Sequence, residues 1–222
     1  MIPYYDDGNG IQIYHGDCRE ILPTLGPVDL VLTDPPYGID LEQHQIRNRQ
    51  GLGLTHAGMR GDSEPMDLRW LWTMPCEVVA FGAENFPDQL PHRGRWICWD
   101  KRCHERADYI LGSPFELAWR NIHRGYYQMI RVQHAGFIND DGPGRRWHPT
   151  QKPVRLMVKI LQLYPKATTI LDPFMGSGTT LVAAKELHRK AIGCEIEEKY
   201  CEIAANRLAQ GVLPYGTSEE QT

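Results

Sequence analysis

Two short segments of this 222-residue chain could do chemistry, and they lie far apart in the sequence. The first is Thr33-Asp34-Pro35-Pro36-Tyr37-Gly38. Its prolines stiffen the backbone and set the Asp34 carboxylate beside the Pro35 carbonyl. Prolines carry no N–H, so no internal donor competes for those two acceptors. Paired acceptors suit an exocyclic amino group, whose two hydrogens need two partners. Tyr37 adds a ring face on which a base can stack. Taken alone, Asp-Pro is also a common turn sequence.

The second segment is Leu171 to Thr180, LDPFMGSGTT, a glycine-rich turn between a strand-like and a helix-like run. Glycine lets backbone approach a ligand closely, and a helix N-terminus offers free N–H groups. Three ligands are conceivable. A nucleoside triphosphate needs Gly-Lys-Ser/Thr, but Gly178 is followed by Thr179-Thr180. A dinucleotide needs a third glycine where Leu181 stands. S-adenosylmethionine is the third, with its methionyl group in place of a pyrophosphate. Glu195 ends the next strand-like run, 23 positions after Asp172. An acidic residue near that spacing accepts ribose hydroxyls in nucleoside-binding α/β folds.

Apolar runs predict the strands that carry these segments: Val28–Thr33, Glu77–Phe81, Arg95–Trp99, Phe115–Trp119, Thr168–Asp172 and Lys190–Glu195. Helical spacing predicts Val154–Tyr164, stopped by Pro165, then Thr179–His188 and Glu198–Ala209. Near-continuous apolar strands alternating with helices predict a parallel sheet covered on both faces. Leu41–Pro65 is polar and glycine-punctuated, and follows Tyr37 closely; it reads as an active-site loop. The tail from 211 to 222 is polar.

The net charge of -4 hides a division. Residues 1–90 carry 5 basic and 14 acidic side chains, whereas residues 91–155 carry 12 basic and 6 acidic, with five histidines. A basic middle in an acidic chain suits a local polyanion-binding face, or simply a solvated one. The six cysteines form no C-x-x-C pair, which predicts free thiols rather than a disulfide framework or zinc site. The sequence shows neither a signal peptide nor a membrane-length apolar run, so the default compartment is cytosolic.

The order of these motifs resembles the DNA amino-methyltransferases of the β order, in which D-P-P-Y precedes the glycine-rich cofactor motif. The resemblance covers roughly Ile11 to Leu208 and includes HGDCREIL (His15–Leu22), TDPPYG, WHPTQKP (Trp147–Pro153), LDPFMGSGTT and GCEIEEKYCEIAANRL (Gly193–Leu208). It implies a Rossmann-like α/β fold, a mostly parallel seven-stranded sheet with helices on both faces. It also implies one catalytic domain over 1–210, with a short target-recognition element near 120–146. S-adenosylmethionine is the implied cofactor. Its adenine would meet Asp17 with Phe174 packed beside it, its ribose Glu195, and its methionyl part Gly176 and Gly178. Cys18, Asp172, Pro173, Ser177, Thr179, Thr180 and Ile196 would complete the cofactor site. Thr150, Gln151, Lys152 and Pro153 would close the pocket, with Asp34 reaching cofactor and base alike. Asp34, Pro35, Pro36 and Tyr37 form the implied catalytic motif. Double-stranded DNA is the implied partner, contacted by Lys101, Arg102, Arg120, Arg124, Arg145 and Arg146 of the basic block. A homodimer is compatible with the resemblance; a membrane or a metal is not required.

The expected reaction is methyl transfer to N6 of adenine after base flipping. Asp34 favours adenine, since family members acting on N4 of cytosine more often have serine first in the motif. The rivals are that cytosine activity, a catalytically silent DNA-binding relative, and a dehydrogenase lacking its third glycine.

Overall fold

Glycine, proline and asparagine punctuate the apolar runs, and each run becomes one element. The computed structural model describes residues 1–36, 66–102, 113–122, 125–135, 138–139 and 151–210. Tyr37, the 41–65 loop, Arg124, Arg145, Arg146, Thr150 and the 211–222 tail lie outside the described residues. The chain begins with the hairpin of β1 (Tyr5–Asp6) and β2 (Ile11–His15), followed by the short helix α1 (Cys18–Ile21). Next come β3 (Leu30–Thr33), β4 (Glu77–Phe81), β5 (Arg95–Asp100), β6 (Phe115–Arg120) and β7 (Gln128–Arg131). A separate hairpin pairs β8 (His134–Ala135) with β9 (Ile138–Asn139). The chain then alternates: α2 (Val154–Gln162), β10 (Thr169–Asp172), α3 (Thr179–Glu186), β11 (Lys190–Glu195) and α4 (Glu198–Ala209).

The main sheet runs β1-β2-β11-β10-β3-β4-β6-β5-β7. From β2 to β4 every neighbour is parallel, β6 is antiparallel to both β4 and β5, and β7 is parallel to β5. The sheet thus holds nine strands where the resemblance implies seven; β1 and β7 are additions at its two edges. Only Ile130 of β7 is buried, so no apolar run marks that strand in the sequence. β7 also shows that part of the 120–146 segment is scaffold.

Alternation along the strands sorts the core into two layers. Leu30, Leu32, Val79, Phe81 and Ile170 pack with α2, α3 and α4 through Leu156, Ile160, Leu161, Leu181, Cys201, Ala204 and Leu208. Val31, Val78 and Leu171 face the other way. Their cover among the described residues is short: α1 and the three-residue to five-residue 3₁₀ turns at Arg69–Thr73, Ala83–Asn85 and Pro87–Gln89. Pro75, Pro87 and Pro91 interrupt that stretch, so bulky side chains such as Leu68, Leu71 and Phe86 fill the layer instead of a long helix.

After β10 the chain moves to β11 on one side, and after β3 to β4 on the other. The carboxyl ends of β10 and β3 therefore flank a topological switch point, where open α/β sheets leave a crevice for ligands.

Candidate active site

A cavity of about 380 Å³ opens at those carboxyl ends. Each neighbouring strand delivers a piece of its wall. Gly16 to Arg19 follow β2, Asp34 to Pro36 follow β3, Asp172 to Ser177 close β10, and Glu195 to Glu197 close β11. Gln151 and Lys152, just before α2, supply another side, and Met66 lies beyond the 41–65 segment. Five of the lining side chains are carboxylates (Asp17, Asp34, Asp172, Glu195, Glu197), against two cations, Arg19 and Lys152.

The glycine turn is shaped by backbone needs. Gly176 has a φ of 51°, and its N–H donates to Glu195 Oε2 at 3.0 Å. Glu195 Oε1 accepts from the Glu197 N–H at 2.8 Å. Burial raises the Glu195 pKa, although these backbone donors oppose it. Gly178 caps α3 with a φ of 78°. A Cβ there would stand 2.8 Å from the Ala204 Cβ, so this glycine is needed for the approach of α4. Arg207 of α4 ties the turn from outside, its Nη1 donating to the Ser177 carbonyl at 2.5 Å and to Ser177 Oγ at 3.0 Å.

Asp172 is 4 % exposed. Its Oδ1 accepts from Thr33 Oγ1 at 2.7 Å and from the Phe174 N–H at 3.2 Å. Burial dominates and pushes its pKa up to about 6, with the negative charge of Asp34 adding to the rise. Asp34 itself meets a buried ammonium: Lys152 Nζ donates to Asp34 Oδ2 at 2.5 Å and lies 3.2 Å from Glu116 Oε2. Glu116 Oε1 in turn accepts from Lys101. Burial opposes charge on Lys152, but the carboxylates of Asp34 and Glu116 outweigh it and hold its pKa above the ordinary lysine value.

This wall of acceptors at a switch point invites comparison with known proteins. The family model for the N6/N4 DNA methylases matches residues 99–206. Type II methyltransferase M2.DpnII of Streptococcus pneumoniae is 52% identical over 250 residues, covering 93% of this chain and 92% of that protein. The chain belongs to the N6/N4 DNA methylase family. Solved structures with the same fold include M1.HpyAVI in complex with S-adenosylmethionine, with a TM-score of 0.53 at 23% identity, over 89% of this chain and 99% of that one. The cytosine-N4-specific PvuII DNA methyltransferase follows the fold with a TM-score of 0.59 at 14% identity, over 89% and 86% of the two chains.

Most of the expected site residues of the methylase meet in the one cavity. Asp17, Cys18, Asp34, Pro35, Pro36, Gln151, Lys152, Asp172, Pro173, Phe174, Gly176, Ser177, Thr179, Thr180, Glu195 and Ile196 all line it. Two of the expected residues that the structure describes do not. Gly178 serves helix packing, and Pro153 caps α2, its carbonyl accepting from the Leu156 and Met157 N–H groups. Asp17 caps α1 and holds Arg19 at 2.5 Å.

The described basic residues assigned to DNA are engaged within the fold. Arg120 is 6 % exposed because β6 is an interior strand, and its guanidinium donates to the Tyr126 carbonyl. Lys101 is held by Glu116, and Arg102 and Arg131 grip Asp100 at 2.8 and 3.0 Å. Lys101, Arg102 and Arg120, expected at phosphates, thus each have a partner within the fold. Glu116 and Arg207 touch the cavity wall from behind, through Lys152 and Ser177, without lining it. Each sits in an element whose local pattern shows only a strand or a helix. Among the described residues no helix is long and apolar enough to cross a membrane, and no group of three or more side chains is arranged to hold a metal ion.

Proposed function

We propose that this methylase transfers a methyl group from S-adenosylmethionine to the N6 amino group of adenine in DNA. The observation that carries the reading is the shared cavity: the paired acceptors of Asp34 and Pro35 line the same wall as Asp172 and Glu195. The residues present fit the cofactor. Five carboxylates against two cations favour a nucleoside that carries positive charge and disfavour a pyrophosphate. A carboxylate offers about four lone-pair sites, so Glu195, anchored by backbone donors, keeps acceptor capacity for a ribose diol. Phe174, braced by the Trp70 ring at 6.2 Å, supplies a flat apolar wall for adenine.

When bound, the cofactor supplies a sulfonium methyl, an electrophile that needs no further activation. The chain's own residues do the rest. A target base must leave the stack at a cost of a few kcal/mol. Asp34 and the Pro35 carbonyl accept its two amino hydrogens and draw the nitrogen toward tetrahedral geometry, which localises its lone pair. As positive charge grows on that nitrogen, the Asp34 carboxylate stabilises it, and proton loss follows. The work is alignment and electrostatics. Residues 1–210 form one catalytic domain in this reading, with part of 120–146 choosing the target. Contacts to phosphates fall to Arg124, Arg145 and Arg146.

Nucleoside mass spectrometry on DNA treated with the protein and cofactor tests the proposal. The expected product is N6-methyladenine; N4-methylcytosine would reassign the base. Asp34→Ala removes a preorganised acceptor and is expected to cut the rate by about 100–1000-fold. Near-normal turnover by that variant would overturn the mechanism.

A further inference from the structure

Lys152 is 6 % exposed, lines the cavity, and has no part in the mechanism above. A buried ammonium is costly unless paired, and apolar residues usually stabilise a core as well as an ion pair does. Its neighbours are specific. Asp34 Oδ2 lies at 2.5 Å, Glu116 Oε2 at 3.2 Å, and the Phe81 ring centroid at 5.3 Å. Every part of this arrangement is anchored. Glu116 sits on β6, inside the sheet, and its second oxygen is taken by Lys101. Pro153, next in sequence, fixes the backbone at the start of α2. The ammonium thus bridges one carboxylate of the scaffold and one of the site.

Asp34 needs such a partner. Asp172 lines the same cavity and the two carboxylates repel each other, a repulsion that already contributes to the high pKa of Asp172. Glu84, beyond the end of β4, adds negative charge, since it interacts with both Glu116 and Lys152. An unaccompanied Asp34 in this company would tend to take up a proton, and a protonated carboxyl is a poorer acceptor for an amino hydrogen. We propose that Lys152, steadied by Glu116, is the positioning residue for Asp34, holding one carboxylate oxygen so that the group stays ionised and keeps its plane toward the amino nitrogen. The inference rests on the methyl-transfer reading of the cavity.

Single-turnover methyl transfer to DNA, followed across about pH 5 to 9, tests it through the acid limb of the rate profile. Lys152→Gln removes the positive charge beside Asp34 and shifts the limb upward by roughly one to three pH units, with a lower plateau. Lys152→Arg keeps the charge and returns the limb to its original position. Glu116→Gln removes a negative charge instead, so its limb moves downward, while its plateau falls as Lys152 loses its fixed direction. If Lys152→Gln does not fold, Glu116→Gln and Lys152→Arg still carry the test. A merely structural role lowers plateaus and leaves the limbs in place. Limbs that coincide with the unaltered chain, or that move in the same direction for Glu116→Gln and Lys152→Gln, overturn the inference alone. Failure of the unaltered chain to modify any base overturns the proposed function, and the inference with it.

Discussion

Replacing Asp172 with asparagine is expected to make the chain more stable at neutral pH and a poorer receptor for its cofactor. In the folded chain the Asp172 carboxyl has a pKa of about 6, against an ordinary 3.8. A rise of about two units at ~1.4 kcal/mol each corresponds to about 3 kcal/mol. The sign follows from proton uptake. Folding raises the affinity of the group for a proton, so the stability it confers is complete below about pH 4 and is lost as pH rises through about 6. Asparagine has the same shape, keeps an oxygen for Thr33 Oγ1 and the Phe174 N–H, and carries no charge to desolvate. Urea unfolding of both chains over a pH series should therefore show similar stability near pH 4 and a gap of about 3 kcal/mol in favour of the variant at pH 7. Calorimetry at neutral pH should show weaker cofactor binding by the variant, because a carboxylate facing a cationic ligand has been lost. A stability gap that does not change with pH, or a variant less stable at pH 7, would refute the reasoning.

Two further substitutions probe the glycine turn. Gly178→Ala must adopt a φ of 78° and press its Cβ to 2.8 Å from that of Ala204, so a loss of roughly 2–4 kcal/mol is expected. Adding Ala204→Gly should recover part of the melting temperature; an unchanged melting temperature in the single variant would contradict the packing role. Glu195→Gln keeps the shape of the side chain but removes its charge, and calorimetry should find the cofactor bound about 1–3 kcal/mol less tightly. Normal affinity there would move the ribose away from Glu195.

The legible parts of this molecule were those whose physics is local. The bounds of β4, β11 and α4 follow directly from apolar runs and helical spacing. That Asp34, Asp172 and Glu195 line one cavity is legible because proline, glycine and an acidic strand end state their backbone requirements over a few residues. β2 is not marked because its alternation spans only Ile11 to Ile13 before Tyr14, also buried, breaks it. The pairing of Lys152 with Glu116 joins a loop before α2 to a strand in the sheet, and no spacing announces it. The crowding of Gly178 against Ala204 is not legible, because sequence marks the need for glycine but not which side of it is crowded. The burial of Arg120 is not legible because the antiparallel insertion of β6 between β4 and β5 is decided by the whole sheet.

The place of β2 beside β11 has a consequence for how the molecule is made. His15 and Ile196 meet across 181 positions of chain, and Ile196 lines the cavity. Closing so long a loop is slow, and contacts of high sequence separation delay folding. On a ribosome adding about 5–20 residues per second, β2 emerges about 9–36 seconds before its parallel partner. Until β11 arrives, one side of β2 is an unpaired edge able to join other chains. The side of the cavity lined by Gly16–Arg19 and Glu195–Glu197 is thus assembled last, from the two ends of the described chain. A ligand that binds only the closed arrangement would draw the final docking step forward by mass action.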